Sequence, residues 1–391
     1  MVNDKLKKDC CGCGACANAC NHNAITMIPD KMGFLYPNVN IEKCIDCGLC
    51  EKVCSFNKDY SFDENNEFPL FYGVRHKNQN VLYNSRSGGA FTAISDYILD
   101  RGGAVYGVGL DEHFCAIHKR ATTKEQRDEF LGSKYIQSNL NDVFRQIKLD
   151  LKQGIYVLFT GTPCQTSALR KYLGDKYSEK LYLLDIICHG VPSPAIWKDN
   201  INYIERKNRG NVTSVNFRNM IKYGWSNHVE TYVINHKTIS SWAFTDLFYK
   251  HLILRDCCAN CHYANLKRPS DITIGDFWGY EKVCAKINQD DLGVSLLMCN
   301  TSKGLDLFNY CNRHLNVVSV SQEYCLQPNL VSPTKFNKVY LQFRKDYVSK
   351  GYYYIYCKYG IGGWKNKIKK FFYIIYVRTR ELKNYLLGIL R

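Results

Sequence analysis

Five cysteines fall within eleven residues at 10–20, CCGCGACANAC, and a second string, CIDCGLCEKVC, occupies 44–54. Cys10, Cys13, Cys16 and Cys20 keep the spacing C-x2-C-x2-C-x3-C, and Cys44, Cys47, Cys50 and Cys54 repeat it. A loop with two-residue steps presents three thiolates to one cuboidal iron–sulfur core, and in two-cluster proteins the fourth cysteine serves the other core. The spacing predicts two [4Fe-4S] cubes with crossed ligands. Cys10, Cys13, Cys16 and Cys54 hold one; Cys44, Cys47, Cys50 and Cys20 hold the other. Cys11 breaks the register and is the surplus thiol. Zinc needs only four ligands per site, which makes the third step of each string redundant.

Gly12, Gly14 and Gly48 let the backbone wrap closely around an inorganic core and turn its N–H groups toward sulfur. The segment resembles a two-cluster bacterial-type ferredoxin over residues 8–57. It departs from that pattern at one point. The proline that usually follows the fourth cysteine is Asn21 in the first string and Ser55 in the second. Proline stiffens a turn but donates no ligand, so cluster binding is expected to survive.

The chain has 391 residues and 20 cysteines. In a small secreted protein such usage would suggest disulfides. Here the start, MVNDKLKKDCC, has no apolar stretch resembling a signal peptide. No run approaches the length of a membrane span. Reduced, metal-binding thiols in a cytoplasmic protein are the expectation. The net charge of +16 admits nucleic acid, anionic lipid or acidic partners, but no nucleic-acid motif accompanies it and that class is set aside. From Lys365 to Arg391, eight Lys or Arg stand against one acid, Glu381, interleaved with residues such as Phe371, Tyr376 and Leu387. This pattern suits a basic amphipathic helix on a membrane surface, at the inner face, or on a partner; a terminal helix packed on its own domain fits equally well.

The elements that position the chemistry follow an α/β pattern. Residues 1–58 form the cysteine-dense module, and the acidic, aperiodic 59–69 a linker. Helices are expected at 90–101 and 142–153, and strands at 102–110, 154–159, 181–187, 212–218, 230–235, 271–276 and 293–300. Residues 70–345 form the larger domain and 346–391 a basic aromatic helix or tail. The fold class is therefore α+β / α/β, a small ferredoxin-like domain followed by a larger mixed domain. Cys164, in GTPCQ, and Cys188, in CHGVPSP, each stand where a strand runs out into a loop. If strands 154–159 and 181–187 are neighbours, both thiols emerge at one sheet edge, where the C-x2-C of Cys258 and Cys261, flanked by Cys257, completes four thiolates. Spacing alone leaves zinc and iron equally open there.

LYNSRSGGAFTAIS, FLGSKYIQS, VLFTGTPCQTSALRKYL, DIICHGVPSP and RDCCANCHYANLKRPSDITIGDFWG together resemble the beta-subunit family of coenzyme F420-reducing hydrogenases and dehydrogenases. The resemblance implies FAD and a third [4Fe-4S] cluster on Cys164, Cys188, Cys258 and Cys261, with Cys257 a bystander. It implies that Ser87, Gly88 and Gly89 cradle the flavin diphosphate before a helix N-terminus. Gly132, Ser133, Lys134 and Tyr135 would lie along the flavin, with Gly161, Thr162 and Asp276 as further contacts and Asp271 and Trp278 in the pocket. Lys134 would stabilise reduced flavin by its charge. His189 would donate a proton or hydrogen-bond a cluster sulfur. Without the family, GSKY is an ordinary capped loop and Asp271 a turn acid.

The expected function is an iron–sulfur flavoprotein oxidoreductase, passing electrons from a ferredoxin-type or other redox protein through the cubes to FAD and a small organic substrate. The alternative is a non-catalytic electron-transfer subunit of a larger redox complex.

Overall fold

A computed structural model describes residue 2, residues 6–57 and residues 69–363. The basic segment 365–391 and nearly all of the expected linker lie outside the described residues.

In the N-terminal module, β1 (Ile25–Pro29) and β2 (Leu35–Val39) form an antiparallel hairpin between the two cysteine strings. Each string enters a short helix, Ala15–Ala19 or Leu49–Lys52, through a glycine in the left-handed region, Gly14 or Gly48. The two strings are thus folded alike, as their matched spacing requires.

The larger part is built on an eight-stranded mixed sheet. Its strands in chain order are β3 (Leu70–His76), β4 (Ala104–Leu110), β5 (Ala116–Ala121), β6 (Val157–Gly161) and β7 (Leu181–Ile186), then, after a long insertion, three more. The insertion carries a three-stranded sheet of β8 (Val212–Asn216), β9 (Glu230–Ile234) and β10 (Lys237–Ser241). The main sheet then resumes with β11 (Ile272–Asp276), β12 (Ser295–Cys299) and β13 (Leu315–Val320). The spatial order is β13-β3-β12-β11-β7-β6-β4-β5, with β11, β7, β6 and β4 parallel and the flanking pairs antiparallel.

Alternation along the central strands explains the layering, because successive side chains point to opposite faces. Val105, Leu158 and Leu184 pack beneath helices Ala90–Leu99 and Ser302–Cys311. Tyr106, Val157, Phe159 and Leu183 face helices Val143–Lys152 and Pro163–Leu173. A separate core lies between the small sheet and helices Pro194–Asn208, Ala243–Tyr249 and Tyr340–Lys358, the last running across residue 345. Met32 and Phe34 from the N-terminal hairpin enter that core, and the Ser193 hydroxyl donates to the Met32 carbonyl. Phe56 and Val53 join the core over the β6–β7 face. The two parts of the chain therefore share hydrophobic cores.

The expected strands at 154–159 and 181–187 are β6 and β7, parallel neighbours with Val157 opposite Leu181. The strands β3, β5, β10 and β13 and the helix Ser302–Cys311 were not foreseen, and the helix Tyr340–Lys358 starts before the 346–391 segment in which a helix or tail was expected.

On β5, His118 is buried, with Nε2 donating to the Thr160 carbonyl at 3.0 Å and its ring stacked on Phe159. Burial drives its pKa down to about 4. The neutral ring is favoured in the fold, whereas the unfolded chain takes up a proton near pH 6.5. This contribution is complete above about pH 6.5 and is lost as pH falls toward 4, a decline of roughly 3 kcal/mol. Denaturant titrations from pH 7 to pH 4.5 should show the decline, and His118→Phe should flatten the slope by about one proton. Equal slopes in the two proteins would contradict it.

Candidate metal centres

Three groups of cysteines come together. Cys20, Cys44, Cys47 and Cys50 line one hollow with Ile25, Val39 and Leu49. The Ala24 amide donates to Cys20 Sγ at 3.3 Å. Cys47 is exposed, so this distal group meets solvent. The second group surrounds Cys16. Burial, and then its neighbours Cys10 and Cys54, push its thiol up to about 12. Cys13 adjoins Cys16 as well. Cys20 thus lies with the second string and Cys54 with the first, the grouping that crossed ligands need.

The third group is built by three loops. The capping box of Thr162 and Gln165, with Pro163 at the first helical position, turns β6 sharply into helix Pro163–Leu173 and holds Cys164 in the first turn. Cys188 follows β7, and the segment Asp256–Asn260 supplies Cys258 just before Cys261. Cys164, Cys188, Cys258 and Cys261 line one hollow. Gly190 allows the approach: its φ is +117°, and a Cβ there would stand 3.1 Å from Leu254 and 3.3 Å from the Cys258 Cβ. The Gly190 amide donates to Cys188 Sγ at 3.4 Å, and Thr162 Oγ1 lies 3.2 Å from Cys164 Sγ. Burial lifts the Cys188 thiol to about 12. Metal uptake must therefore displace these protons. Cys257 and Cys11 line the same hollow.

Cys11 is a link between groups. Its buried thiol stands beside those of Cys13 in the second group and Cys164 in the third, and lies 3.7 Å from Ser55 Oγ. Among the described residues no group of three or more His, Cys, Asp or Glu side chains could hold a single metal ion. The distal and third groups each line a hollow, an arrangement that suits a four-iron core.

Beyond the third group lies an aromatic, basic cluster. His189 lines the third hollow, and its ring lies 5.6 Å from that of Tyr249. His189 Nε2 is 2.8 Å from His251 Nε2, and His251 Nδ1 is 2.8 Å from the Lys335 carbonyl. A carbonyl only accepts, so His251 Nδ1 carries the proton and His189 Nε2–H donates to His251. Tyr135, Asp276 and Tyr249 surround the buried Arg218. Arg218 pairs with Asp276 and lies 5.4 Å over the Trp278 ring, which stacks on Trp225 at 4.6 Å. Arg86 stands close enough for the two guanidiniums to repel, and burial followed by that repulsion lowers its pKa to about 10. Nε of both arginines is buried without a hydrogen-bond partner among the described residues.

Ser87 Oγ donates to the Val294 carbonyl at 2.7 Å. Gly88 packs against β3 and β12, where a Cβ would meet the Val74 carbonyl oxygen and the Ser295 amide; Gly89 is the left-handed N-cap of helix Ala90–Leu99. Lys134 Nζ donates to the carbonyls of Glu129 and Leu131 at 2.9 and 2.8 Å, and burial brings its pKa down to about 7. Gly132 faces open space beside Ser133, and Gly161 abuts Gln165. Asp271 accepts from the Leu183 amide and the Thr301 hydroxyl, a structural role. Sequence reasoning missed Arg86, Arg218, Trp225 and Tyr249. Arg86 adjoins the quoted SGG turn; the others carry no local signal.

The fold and its thiol groups define an iron–sulfur electron-transfer protein of oxidoreductase type. Residues 9–58 match the family model of the 4Fe-4S dicluster domain. Residues 156–323 match the family model for the C terminus of the coenzyme F420 hydrogenase/dehydrogenase beta subunit, so the two matched stretches follow one another along the chain. A solved chain of the F420-reducing [NiFe] hydrogenase complex from Methanosarcina barkeri is similar at 15% identity and a TM-score of 0.47, covering 74% of this chain and 92% of that one. No curated protein matches. Among the described residues no helix is long and apolar enough to cross a membrane.

Proposed function

We infer that the chain is an iron–sulfur flavoprotein that accepts electrons at Cys20, Cys44, Cys47 and Cys50, and delivers them to a flavin beside Arg86 and Arg218. The observation that carries this reading is the sequence of groups. The exposed distal thiols, the group around Cys16, the Cys11 link and the third hollow lead in order to His189 and the basic aromatic cluster. FAD, when bound, supplies the exchange between one- and two-electron chemistry. The residues fit such a group: two buried guanidiniums with unpartnered Nε atoms call for an acceptor, and Trp278 and Tyr135 offer apolar faces. In this reading Arg218 takes the electrostatic role that the resemblance gives to Lys134, whose ammonium is engaged by its own loop. His189 and His251 hold a proton beside the third group. The substrate is a small organic molecule, and the electron donor a redox protein.

Anaerobically reconstituted chain is expected to hold about twelve irons and one flavin, following the ligand count. About eight irons and no flavin would leave an electron carrier and overturn the enzyme reading.

A further inference from the structure

Arg255 is fully buried between the first cysteine string and the third group. Its main chain holds the third group's loops: its amide donates to the Val191 carbonyl at 3.0 Å, and its carbonyl accepts from the Cys258 amide at 3.0 Å. Its side chain holds the first string. Nε donates to the Cys10 carbonyl at 2.8 Å, Nη1 to Gln137 Oε1 at 2.8 Å and Nη2 to the Leu35 carbonyl at 2.8 Å. Nη2 also lies 3.7 Å from Cys10 Sγ, a cluster ligand in the first string's register. The guanidinium lies 4.2 Å over the Tyr36 ring. Gly12 gives it room, since a Cβ there would come within 2.6 Å of Nη1.

All of these partners are neutral or sulfur. Among the described residues no carboxylate pairs with Arg255, and the nearby Asp30 and Asp256 pair with Lys7 and Arg344. An isolated buried charge costs several kcal/mol unless an opposite charge meets it. Four thiolates around an iron–sulfur core carry net negative charge, and Cys10 brings that charge to the guanidinium. Positive charge and N–H···S contacts make such a core easier to reduce.

We propose that Arg255 sets the reduction potential of the cube on Cys10, Cys13, Cys16 and Cys54, holding it above that of the exposed cube so that electrons are drawn inward. Arg255 is a positioning and tuning residue, and the inference rests on the iron–sulfur part of the proposed function.

The test is an EPR-monitored redox titration of the reconstituted full chain. In Arg255→Gln the inner cube should become at least tenfold harder to reduce, about 59 mV for a one-electron couple. The distal cube, the internal reference, should not move. Arg255→Lys keeps the charge and loses the fork, so its shift should be smaller and in the same direction. Gln137→Leu removes the 2.8 Å hydrogen bond to the Cys11 carbonyl and the 2.8 Å bond accepted from Arg255 Nη1, but no charge, and should leave the potential in place. An unshifted inner cube in Arg255→Gln would overturn the proposal, as would an equal shift of both cubes or an equal shift in Gln137→Leu. If Arg255→Gln fails to take up iron, Arg255→Lys decides: no shift overturns the proposal. An inner-cube signal missing from the unmodified chain would instead count against the iron–sulfur reading itself.

Discussion

Replacing Cys20 with alanine is expected to remove the cube held mainly by the second cysteine string and to spare the one beside it in sequence. Cys20 lines the distal hollow with Cys44, Cys47 and Cys50, whereas Cys54 stands by Cys10 and Cys16. A [4Fe-4S] core that loses one of four thiolates becomes labile, so iron should fall by about four per chain. The surviving EPR signal should be the inner one, and Cys54→Ala should give the converse. Loss of the inner signal in Cys20→Ala would show that each string closes its own cube.

Cys188→Ala is expected to have the next largest effect, the loss of the third cube and of a further four irons or so. Cys188 and Cys164 come from adjacent parallel strands, and the loop from β7 to helix Pro194–Asn208 holds no second cysteine. Cys257→Ala should leave the iron content intact, because Cys258 and Cys261 complete the four. Full iron content in Cys188→Ala, or its loss in Cys257→Ala, would reassign the ligands of this hollow.

The grouping of the N-terminal cysteines was legible because its information is local: a loop that brings three thiolates to one core carries that demand in two-residue steps. The strands β6 and β7 were legible for a related reason, as short apolar runs between helices, while their pairing stood in the sequence only as a condition. Arg255 was not legible. It contacts Cys10 and Leu35 across more than 200 residues, and nothing in RDCC marks a buried charge. Cys11 could be recognised as surplus by register alone, but its position between Cys13 and Cys164 depends on how the N-terminal module packs on helix Pro163–Leu173. Arg86 and Arg218 likewise approach only when β11 and the insertion between β7 and β11 are assembled. The missed strands β5 and β13 lie at the two edges of the main sheet. Partly exposed edge strands show weaker hydrophobic runs than the buried central ones.

In the proposed function electrons pass from an exposed cube, through the third hollow, to a flavin. Rapid mixing of FAD-loaded chain with a reduced bacterial two-cluster ferredoxin tests this path most directly, with absorbance following cluster and flavin together. In the unmodified chain both should be reduced. In Cys188→Ala the two N-terminal cubes should still be reduced while the flavin stays oxidised, and flavin reduction at an undiminished rate in that variant would contradict the path.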